Sequence, residues 1–183
     1  AFKDAFPVSN GWEYQFNTSG GAGRVQFQHQ GGTDLQRVSD TGSVTFDVWQ
    51  HHLVTWDGST TAANADIYIN GTEVTYVTTI NGATLGDDSA NNFMAGNGPG
   101  GNITFDGYIA ELAIWNAIVE ANEIASLARG VSPTTVRPGS SLVFYLPNHG
   151  AYSPEPDLSG VGSNCTVTGT TLVDHSPTAP MIR

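Results

Sequence analysis

Two segments near the amino terminus carry the side chains with the greatest capacity for chemistry: a carboxylate, a guanidinium and several planar amides. These polar groups occupy every second position and alternate with apolar residues. They are Glu13, Gln15, Arg24, Gln26 and Gln28. Such groups donate and accept hydrogen bonds in pairs, as neighbouring sugar hydroxyls require. The pattern therefore predicts a polar face suited to a carbohydrate ligand, although an ordinary solvated sheet face has the same alternation.

An exposed aromatic ring would complete such a site, because an aromatic side chain offers a flat apolar surface on which a sugar ring can stack. Tyr152 lies between Pro147 and Pro154 in a proline-rich stretch. Proline is largely excluded from the interior of sheets, so this stretch is expected to be a loop. We expect Tyr152 to project from this loop and to serve as the stacking platform.

A second cluster of oxygen-bearing side chains lies between the predicted strands. Asp87 and Asp88 are followed closely by Asn91 and Asn92. Calcium prefers hard oxygen ligands of this kind. The spacing differs from that of an EF-hand, and a simple polar turn is the competing interpretation. Asp87 and Asp88 are the candidate metal ligands, and Ca²⁺ is the one cofactor that the sequence suggests.

The acids and histidines form no recognisable catalytic array. Glu155-Pro-Asp157 has the spacing of a carboxylate pair, but its proline predicts a solvated turn. Glu111 lies within an apolar segment, where a carboxylate is more often hydrogen-bonded structurally than catalytic. His51 and His52 are adjacent, so in a strand one imidazole points to the core and the other to the surface. The sequence therefore predicts a protein that is not an enzyme and has no catalytic residues.

The charge balance excludes several partners. The 183 residues include 17 acids and 6 bases, which give a net charge of −11. A phosphate backbone or an anionic membrane surface would be repelled by this charge. No stretch reaches the roughly 18 apolar residues of a membrane-spanning helix, so neither nucleic-acid binding nor membrane insertion is expected. Neutral glycans, cations and other proteins remain as partners.

The residue composition bears on location. Cys165 is the single cysteine, so an intrachain disulfide is impossible, and a buried small side chain is the simplest interpretation. The scarcity of lysine and the abundance of Gly, Thr, Ser and Asn favour an extracellular, cell-surface or virion protein.

Period-2 alternation predicts about eleven short strands joined by turns, which is typical of an antiparallel β-sandwich. The first two strands include Trp12–Phe16 and Arg24–His29, joined by a glycine-rich hairpin loop. One short helix is predicted at Glu120–Ala128, because Ile124 and Leu127 fall on one stripe. The other predicted strands are Leu35–Ser39, Ser43–Phe46, His52–Trp56, Ala65–Ile69, Glu73–Val77, Asn92–Gly96, Tyr108–Trp115, Ser141–Leu146 and Thr166–Val173.

Four motifs occur in an order that resembles a known family. They are Trp49–Gly58 (Trp-Gln-His-His-Leu-Val-Thr-Trp-Asp-Gly), Ile67–Gly71 (Ile-Tyr-Ile-Asn-Gly), Phe105–Asn116 (Phe-Asp-Gly-Tyr-Ile-Ala-Glu-Leu-Ala-Ile-Trp-Asn) and Glu123-Ile124. Over about residues 11–130 the chain is similar to the laminin-G-like modules of the concanavalin A-like lectin/glucanase superfamily. The resemblance implies an all-β jelly-roll sandwich of two antiparallel sheets with one short helix.

The chain departs from that family pattern at both ends. The strands that usually precede Gly11-Trp12 are missing, while Leu142–Pro147 and Asp157–Asn164 resemble the passage with which such modules open. We therefore expect one domain over 1–183, permuted so that 140–175 supplies strands to the same sandwich. A cleaved segment, or a segment donated by another protomer, is the alternative means of covering the open strand edges.

The function predicted from these observations is a non-catalytic recognition module that binds carbohydrate, either a glycan or a cell-surface polysaccharide. One alternative is a structural surface or virion protein that assembles with copies of itself. A weaker alternative is a divergent glycoside hydrolase. Glucanases of the superfamily carry a Glu-x-Asp-x-(x)-Glu strand whose carboxylates lie about 5 Å apart, and this chain contains no such strand.

Overall fold

Antiparallel strands dominate the computed structural model, which describes residues 2–4, 10–17, 22–98, 104–136, 141–148 and 152–171. Neighbouring strands in every sheet run antiparallel, so the all-β class is confirmed. The strands are β1 (Phe2–Asp4), β2 (Gly11–Asn17), β3 (Arg24–Gln30), β4 (Leu35–Ser39), β5 (His52–Trp56), β6 (Ala65–Ile69), β7 (Thr72–Glu73), β8 (Tyr76–Ile80), β9 (Phe93–Met94), β10 (Leu112–Trp115) and β11 (Leu142–Leu146). The helices are α1 (Ala121–Ala128), α2 (Pro133–Val136) and a 3₁₀ turn at Ala62–Asn64.

The chain divides into two compact units, 1–106 and 107–183. The first unit contains a six-stranded sheet in the order β8-β4-β3-β2-β1-β9 and a three-stranded sheet in the order β5-β6-β7. The second contains the pair β10-β11 and both α-helices. Within the described residues, no helix is both long enough and apolar enough to cross a membrane.

The register between β2 and β3 separates apolar from polar side chains. Tyr14 lies opposite Phe27, and Gln15 lies opposite Gln26. Residues that face each other in an antiparallel pair project from the same side of the sheet. The β2–β3 pair is therefore apolar on one side and polar on the other, as the alternation predicts, whereas β4 places Arg37 on the side of Phe27 and Val38 on the side of Gln26.

The core of the first unit lies between its two sheets. Leu35 of the larger sheet and Ile67 of the smaller one are both completely buried. Burial of a side chain of this size stabilises the fold by about 1.5–3 kcal/mol. The buried cluster consists of Val25, Phe27, Leu35, Ala62, Ala65, Ile67 and Ile69.

The hairpin between β6 and β7 turns at Asn70-Gly71, as predicted. The φ angles of these residues are 52° and 80°, and Asn and Gly tolerate this left-handed region best. The Asn70 side chain also accepts a hydrogen bond from the backbone N–H of His51 at 2.9 Å, which ties the turn to the start of the neighbouring strand.

The predicted helix is confirmed as α1. The Glu120 backbone N–H donates to the Glu123 carboxylate at 2.8 Å, which satisfies a backbone donor at the helix start. Ile124 and Leu127 are buried, as the stripe requires. The stretch after α1 contains the single turn α2, where Pro133 takes the first helical position.

Several strand predictions were wrong, and local backbone geometry explains most of them. Ser43–Phe46 forms only an isolated bridge at Val44, because the chain turns at Asp47 with a φ of 60°. The strand predicted from Tyr108 begins only at Leu112, because Glu111 has a φ of 54°, which is incompatible with a strand.

Two further predictions fail where the chain leaves or enters a sheet. Glu73–Val77 is split, because the chain passes between Glu73 and Tyr76 from the smaller sheet to the larger one. The part of Thr166–Val173 that the structure describes is not a strand, and Gly169 interrupts the extended backbone with a φ of 68°. Conversely, β1 precedes Gly11, where no strand was expected, because three residues are too few to show a period.

The segment after residue 140 contributes one strand. β11 pairs with β10, and Leu112 lies opposite Leu146. Leu142, Phe144 and Leu146 are all buried. That 1–183 forms a single domain, completed by 140–175, stays a prediction, because β10 and β11 both belong to the second unit.

Candidate functional site: the polar face of the six-stranded sheet

The predicted ligand-binding side chains of β2 and β3 come together on one side of the six-stranded sheet. Glu13 lies opposite Gln28, and Gln15 lies opposite Gln26. Gln28 also lies opposite Gln36 of β4, which the sequence analysis did not single out. We call the surface formed by Glu13, Gln15, Arg24, Gln26, Gln28 and Gln36 the polar face.

The polar face is more sheltered than predicted. The alternation predicts solvated side chains, yet Glu13 is only 6% exposed and Gln28 only 9%. Gln28 is covered because it projects from an inner strand between Glu13 and Gln36. Gln15 and Gln26 are partly buried. Glu13 and Gln28 are therefore shielded from solvent to a degree that an ordinary outer sheet surface would not give.

A chain of hydrogen bonds orients the amides of this face. The Gln26 Nε2 donates to the Gln28 Oε1 at 2.5 Å, and the Gln28 Nε2 donates to the Asp34 Oδ2 at 2.9 Å. The Asp34 Oδ1 accepts the Gly31 backbone N–H at 3.2 Å. Sequence reasoning missed Asp34, although Gly31-Gly32-Thr33-Asp34 is a recognisable turn next to a polar strand. The two amides are thus held in place before any ligand arrives.

Arg24 supplies an additional donor at the end of β3. It lies opposite Asn17, two residues along the β2–β3 ladder from the pair Gln15 and Gln26. Its Nε is buried and has no hydrogen-bond partner among the described residues. A buried donor without a partner is uncommon, because its desolvation is uncompensated. The guanidinium partly offsets the formal negative charge of the two acids at this face, Glu13 and Asp34.

The opposite side of β2 packs against histidine and aromatic rings. The Tyr14 hydroxyl lies 2.9 Å from the Nδ1 of His52, and the Phe16 ring meets the His52 ring edge-on. Burial, together with the charge of the neighbouring His51, lowers the pKa of His52 to about 4. Burial also raises the pKa of Tyr14. Phe16 is 39% exposed, near the end of the strand.

The two adjacent histidines are both only partly buried, so the prediction of one core and one surface imidazole does not describe them well. Burial lowers the pKa of His51 as it does that of His52. Neither ring is at the polar face, since β5 belongs to the smaller sheet.

A family model, that of the laminin-G type in the concanavalin A-like lectin/glucanases superfamily, matches residues 2–125. The chain belongs to this family. No curated protein and no solved structure gives a significant match to the chain. The match confirms the resemblance drawn from the four motifs and extends it to β1. The two antiparallel sheets of the first unit are those of a concanavalin A-like sandwich.

In this laminin-G-like chain the predicted stacking residue, Tyr152, is 65% exposed. It lies in the second unit, in a stretch without regular structure between Asn148 and Glu155 in the described residues. Its exposure is what a stacking platform requires, and that role stays a prediction.

The candidate calcium loop is shaped by its own hydrogen bonds. The Asp87 Oδ1 accepts the Ser89 backbone N–H at 2.9 Å, and the Asp88 carbonyl accepts the Asn91 backbone N–H at 2.9 Å. The Asn91 side chain donates to the Asn10 carbonyl at 2.8 Å. In the part of the chain that the structure describes, no three His, Cys, Asp or Glu side chains are grouped to hold a metal ion. Calcium at Asp87 and Asp88 stays a prediction.

Glu111 takes part in a structural contact in the second unit of the laminin-G-like chain. The Tyr145 hydroxyl donates to the Glu111 Oε2 at 2.6 Å. Burial raises the pKa of Tyr145 to about 12, and the Glu111 carboxylate contributes to the rise. The Glu111 backbone N–H is directed to the Pro147 carbonyl at 3.3 Å. These contacts join the start of β10 to the end of β11.

The prediction of a solvated turn at Glu155-Pro-Asp157 was wrong. Glu155 is 2% exposed and Asp157 is 8% exposed. The backbone of Glu155 pairs with Cys165 through two hydrogen bonds of 2.8 and 3.0 Å, which folds the loop back on itself. Cys165 is partly buried, and burial raises the pKa of its thiol.

The Asp157 carboxylate organises this loop. It accepts the backbone N–H groups of Tyr145, Ser159, Gly162 and Ser163 and the Ser159 hydroxyl, at 2.9 to 3.1 Å. Burial pushes the pKa of Asp157 upward, but these hydrogen bonds outweigh it and hold the pKa below its usual value. A carboxylate with every oxygen occupied in this way is a structural anchor rather than a general acid.

Proposed function

We propose that this protein is a non-catalytic carbohydrate-binding module that acts by equilibrium binding to a neutral glycan or cell-surface polysaccharide. The observation that carries the proposal is the hydrogen-bonded chain Gln26–Gln28–Asp34 in a sheltered polar face. Fixed amides lose little conformational entropy when a ligand binds, and each offers a donor and an acceptor to adjacent hydroxyls. The family contains lectins by its description, which agrees with this chemistry.

Several features support a binding role over hydrolysis, although the superfamily description includes glucanases. Retaining glycosidases need two carboxyl groups about 5 Å apart, flanking one glycosidic bond. The strand residues of the polar face include one carboxylate, Glu13, opposite the neutral Gln28, and the adjoining Asp34 carboxylate is engaged by the Gln28 amide and the Gly31 N–H. Glu111 and Asp157 are in the other unit and are engaged by Tyr145 and by loop donors. Binding without bond cleavage is therefore the simpler activity.

The proposed location is outside the cell, on a cell surface or on a virion, where polysaccharides are accessible. The low lysine content, the polar uncharged composition and the absence of an intrachain disulfide pair are compatible with each of these settings. In the proposed mechanism the polar face binds the hydroxyls of the sugar. Tyr152, in the second unit, stays the candidate stacking residue on the ground of its exposure.

The test is a glycan-array screen followed by titration with the glycans retained. Gln26→Ala/Gln28→Ala is expected to weaken binding at least tenfold, because each lost hydrogen bond contributes about 1 kcal/mol. Gln15→Ala, whose side chain is less buried, is expected to weaken it about threefold. Gln50→Ala removes the same amide from a loop outside the polar face and is expected to leave binding unchanged.

Thermal unfolding of all variants separates loss of the site from loss of the fold. The proposal is wrong if no glycan is retained saturably, or if the polar-face variants bind as well as the Gln50→Ala control. Release of sugar product that stops when Glu13 or Glu111 is neutralised would instead show a hydrolase.

A further inference from the structure

Four asparagines of the chain are followed directly by glycine, and this dipeptide is chemically labile. Glycine has no Cβ, so its backbone nitrogen can approach the side-chain carbonyl carbon, Cγ, of the preceding asparagine and displace ammonia. Whether this reaction occurs in a folded protein depends on whether the fold holds the two atoms together or apart. The four dipeptides are Asn10-Gly11, Asn70-Gly71, Asn81-Gly82 and Asn97-Gly98.

At Asn97-Gly98 the two reacting groups are in contact. The Gly98 backbone N–H donates a hydrogen bond to the Asn97 Oδ1, at 2.8 Å from nitrogen to oxygen. The carboxamide of Asn97 is therefore folded back onto the nitrogen that would attack it. Holding two reactants in such proximity removes much of the entropy cost of bringing them together. Asn97 is only partly buried, so water and hydroxide reach it.

At Asn81-Gly82 the same two groups are bound to other partners. The Gly82 N–H donates to the Thr60 carbonyl at 2.9 Å. The Asn81 Oδ1 accepts the Ala62 N–H, also at 2.9 Å. Reaction would require both hydrogen bonds to break first, so the fold protects this dipeptide.

The carboxamides of Asn70 and Asn10 are also held by contacts outside their dipeptides. The Asn70 Oδ1 accepts the His51 N–H at 2.9 Å, and the Asn70 N–H donates to the His51 carbonyl at 2.8 Å. The Asn10 carboxamide lies against Gly86, where an added Cβ would clash with the Asn10 Oδ1. Both asparagines are therefore oriented toward a neighbouring segment of the chain.

We propose that Asn97 is a site of spontaneous deamidation in the folded protein. Hydroxide removes the Gly98 amide proton, and the nitrogen forms a bond to the Asn97 Cγ. The bond from Cγ to Nδ2 then breaks, and the leaving nitrogen takes up a proton from water and departs as ammonia. Water opens the resulting cyclic imide at the Cγ, which gives aspartate, or at the backbone carbonyl, which gives isoaspartate. The sum of the steps consumes one water and releases one ammonia, with no oxidation or reduction.

The modified residue would lie beside contacts that fix the end of the first unit. The Gly96 carbonyl accepts the Phe105 N–H at 2.8 Å, and the Phe105 ring packs against the Phe16 ring of β2 with 5.1 Å between centroids. Isoaspartate lengthens the backbone by one carbon next to Gly96 and would disturb this hydrogen bond. Either product adds one negative charge to a chain with a net charge of −11. The deamidated protein is therefore expected to separate by anion exchange, and its isoaspartate form is expected to unfold at a lower temperature.

Peptide mapping by mass spectrometry, applied to the full chain after incubation at about pH 8, tests the proposal. In the folded protein Asn97 is expected to convert at least about tenfold faster than Asn81. In concentrated urea, which releases the protecting hydrogen bonds, the four dipeptides are expected to convert at rates within about threefold of one another. The rate at Asn97 is expected to rise about tenfold for each unit of pH, because hydroxide must remove the amide proton.

Two glutamine variants provide matched controls. Asn97→Gln keeps the amide but requires a larger ring, so the ammonia released early by the folded protein is expected to disappear. Asn81→Gln makes the same change at a protected dipeptide and is expected to leave that release unchanged, once its unfolding curve shows a native fold. The proposal fails if folding protects Asn97 from conversion as strongly as it protects Asn81. It also fails if the aspartate and isoaspartate of the folded protein lie mainly at Asn10 or Asn70.

Discussion

At the residue scale, the Asp157 carboxylate holds the 157–163 loop in place. Its oxygens accept five hydrogen bonds, which join the 157–163 loop to β11. The hydrogen bonds lower the pKa of the carboxyl from its ordinary value of 3.8. The stability that Asp157 contributes is therefore fully present above about pH 4 and is lost as the pH falls through the lowered pKa.

Asp157→Asn is expected to lower the free energy of unfolding by about 2–4 kcal/mol at pH 7. The asparagine NH₂ group would replace one carboxylate oxygen and would face the N–H groups that this oxygen now accepts. Denaturant titrations at pH 7 and at about pH 3 measure this difference, which should shrink at the lower pH. Asp57→Asn is the control, since Asp57 forms a similar turn with Ser59 and Asn64 at an exposed position. A cost that is equal for both variants, or independent of pH, would contradict the anchoring role.

At the element scale, the strands that alternate cleanly and end in turn dipeptides were predicted without error. His52–Trp56 and Ala65–Ile69 match the observed bounds, because Asp57-Gly58 and Asn70-Gly71 mark where extended backbone ends. Elements controlled by a single unusual dihedral angle or by distant packing could not be predicted. The left-handed Glu111 is one case, since nothing in its type or in its apolar neighbours favours a positive φ.

The polar face also has features that the sequence predicts and features that it does not. Alternation identified which side chains share a side of the sheet, and the structure confirms that grouping for β2 and β3. The burial of Glu13 and Gln28 and the contribution of Asp34 depend on cross-strand neighbours that adjacent residues do not reveal. Likewise, the buried carboxylates at Glu155 and Asp157 contradict the solvated turn suggested by their prolines, because the loop folds back through Cys165.

The turn that follows β3 packs against the 84–85 segment so closely that an added methyl group at Gly31 tests the contact. A Cβ at Gly31 would lie 1.9 Å from the Thr84 carbonyl oxygen, while one at Gly32 would meet only the Thr84 hydroxyl, at 2.8 Å. Gly31→Ala is therefore expected to cost at least about 3 kcal/mol and Gly32→Ala about 1 kcal/mol or less. Chemical denaturation of both variants measures the two losses of unfolding free energy. Equal losses would show that the 84–85 backbone moves away from the added methyl group without a penalty.

At the scale of the whole molecule, the proposal that 1–183 is one domain has a direct consequence for unfolding. Phe144 of β11 is 7% exposed, and its truncation to alanine is expected to cost about 3–5 kcal/mol. If the residues after 140 complete the same sandwich, Phe144→Ala shifts a single cooperative transition of the whole chain.

Calorimetry combined with near-ultraviolet circular dichroism checks this expectation. In a Trp115→Phe background the remaining tryptophans all lie in the first unit, so their signal should be lost at the same lowered temperature as the calorimetric peak. Two transitions, of which Phe144→Ala moves only one, would show that 1–106 and 107–183 unfold independently. Val143→Ala, on the neighbouring and less buried side chain of the same strand, is the control.

The hydrogen-bonded glutamines of the polar face end on Asp34, a turn residue, and not on another strand. Turns tolerate substitution and changes of length far better than the strands they connect. Sequence variation confined to Gly31–Asp34 would therefore change the orientation of the Gln28 amide. Because Gln26 donates to Gln28, the orientation of Gln26 would change as well, with no substitution on the strands that form the polar face. On the proposed function, related proteins can acquire new sugar preferences while strands β2 and β3 keep an identical sequence.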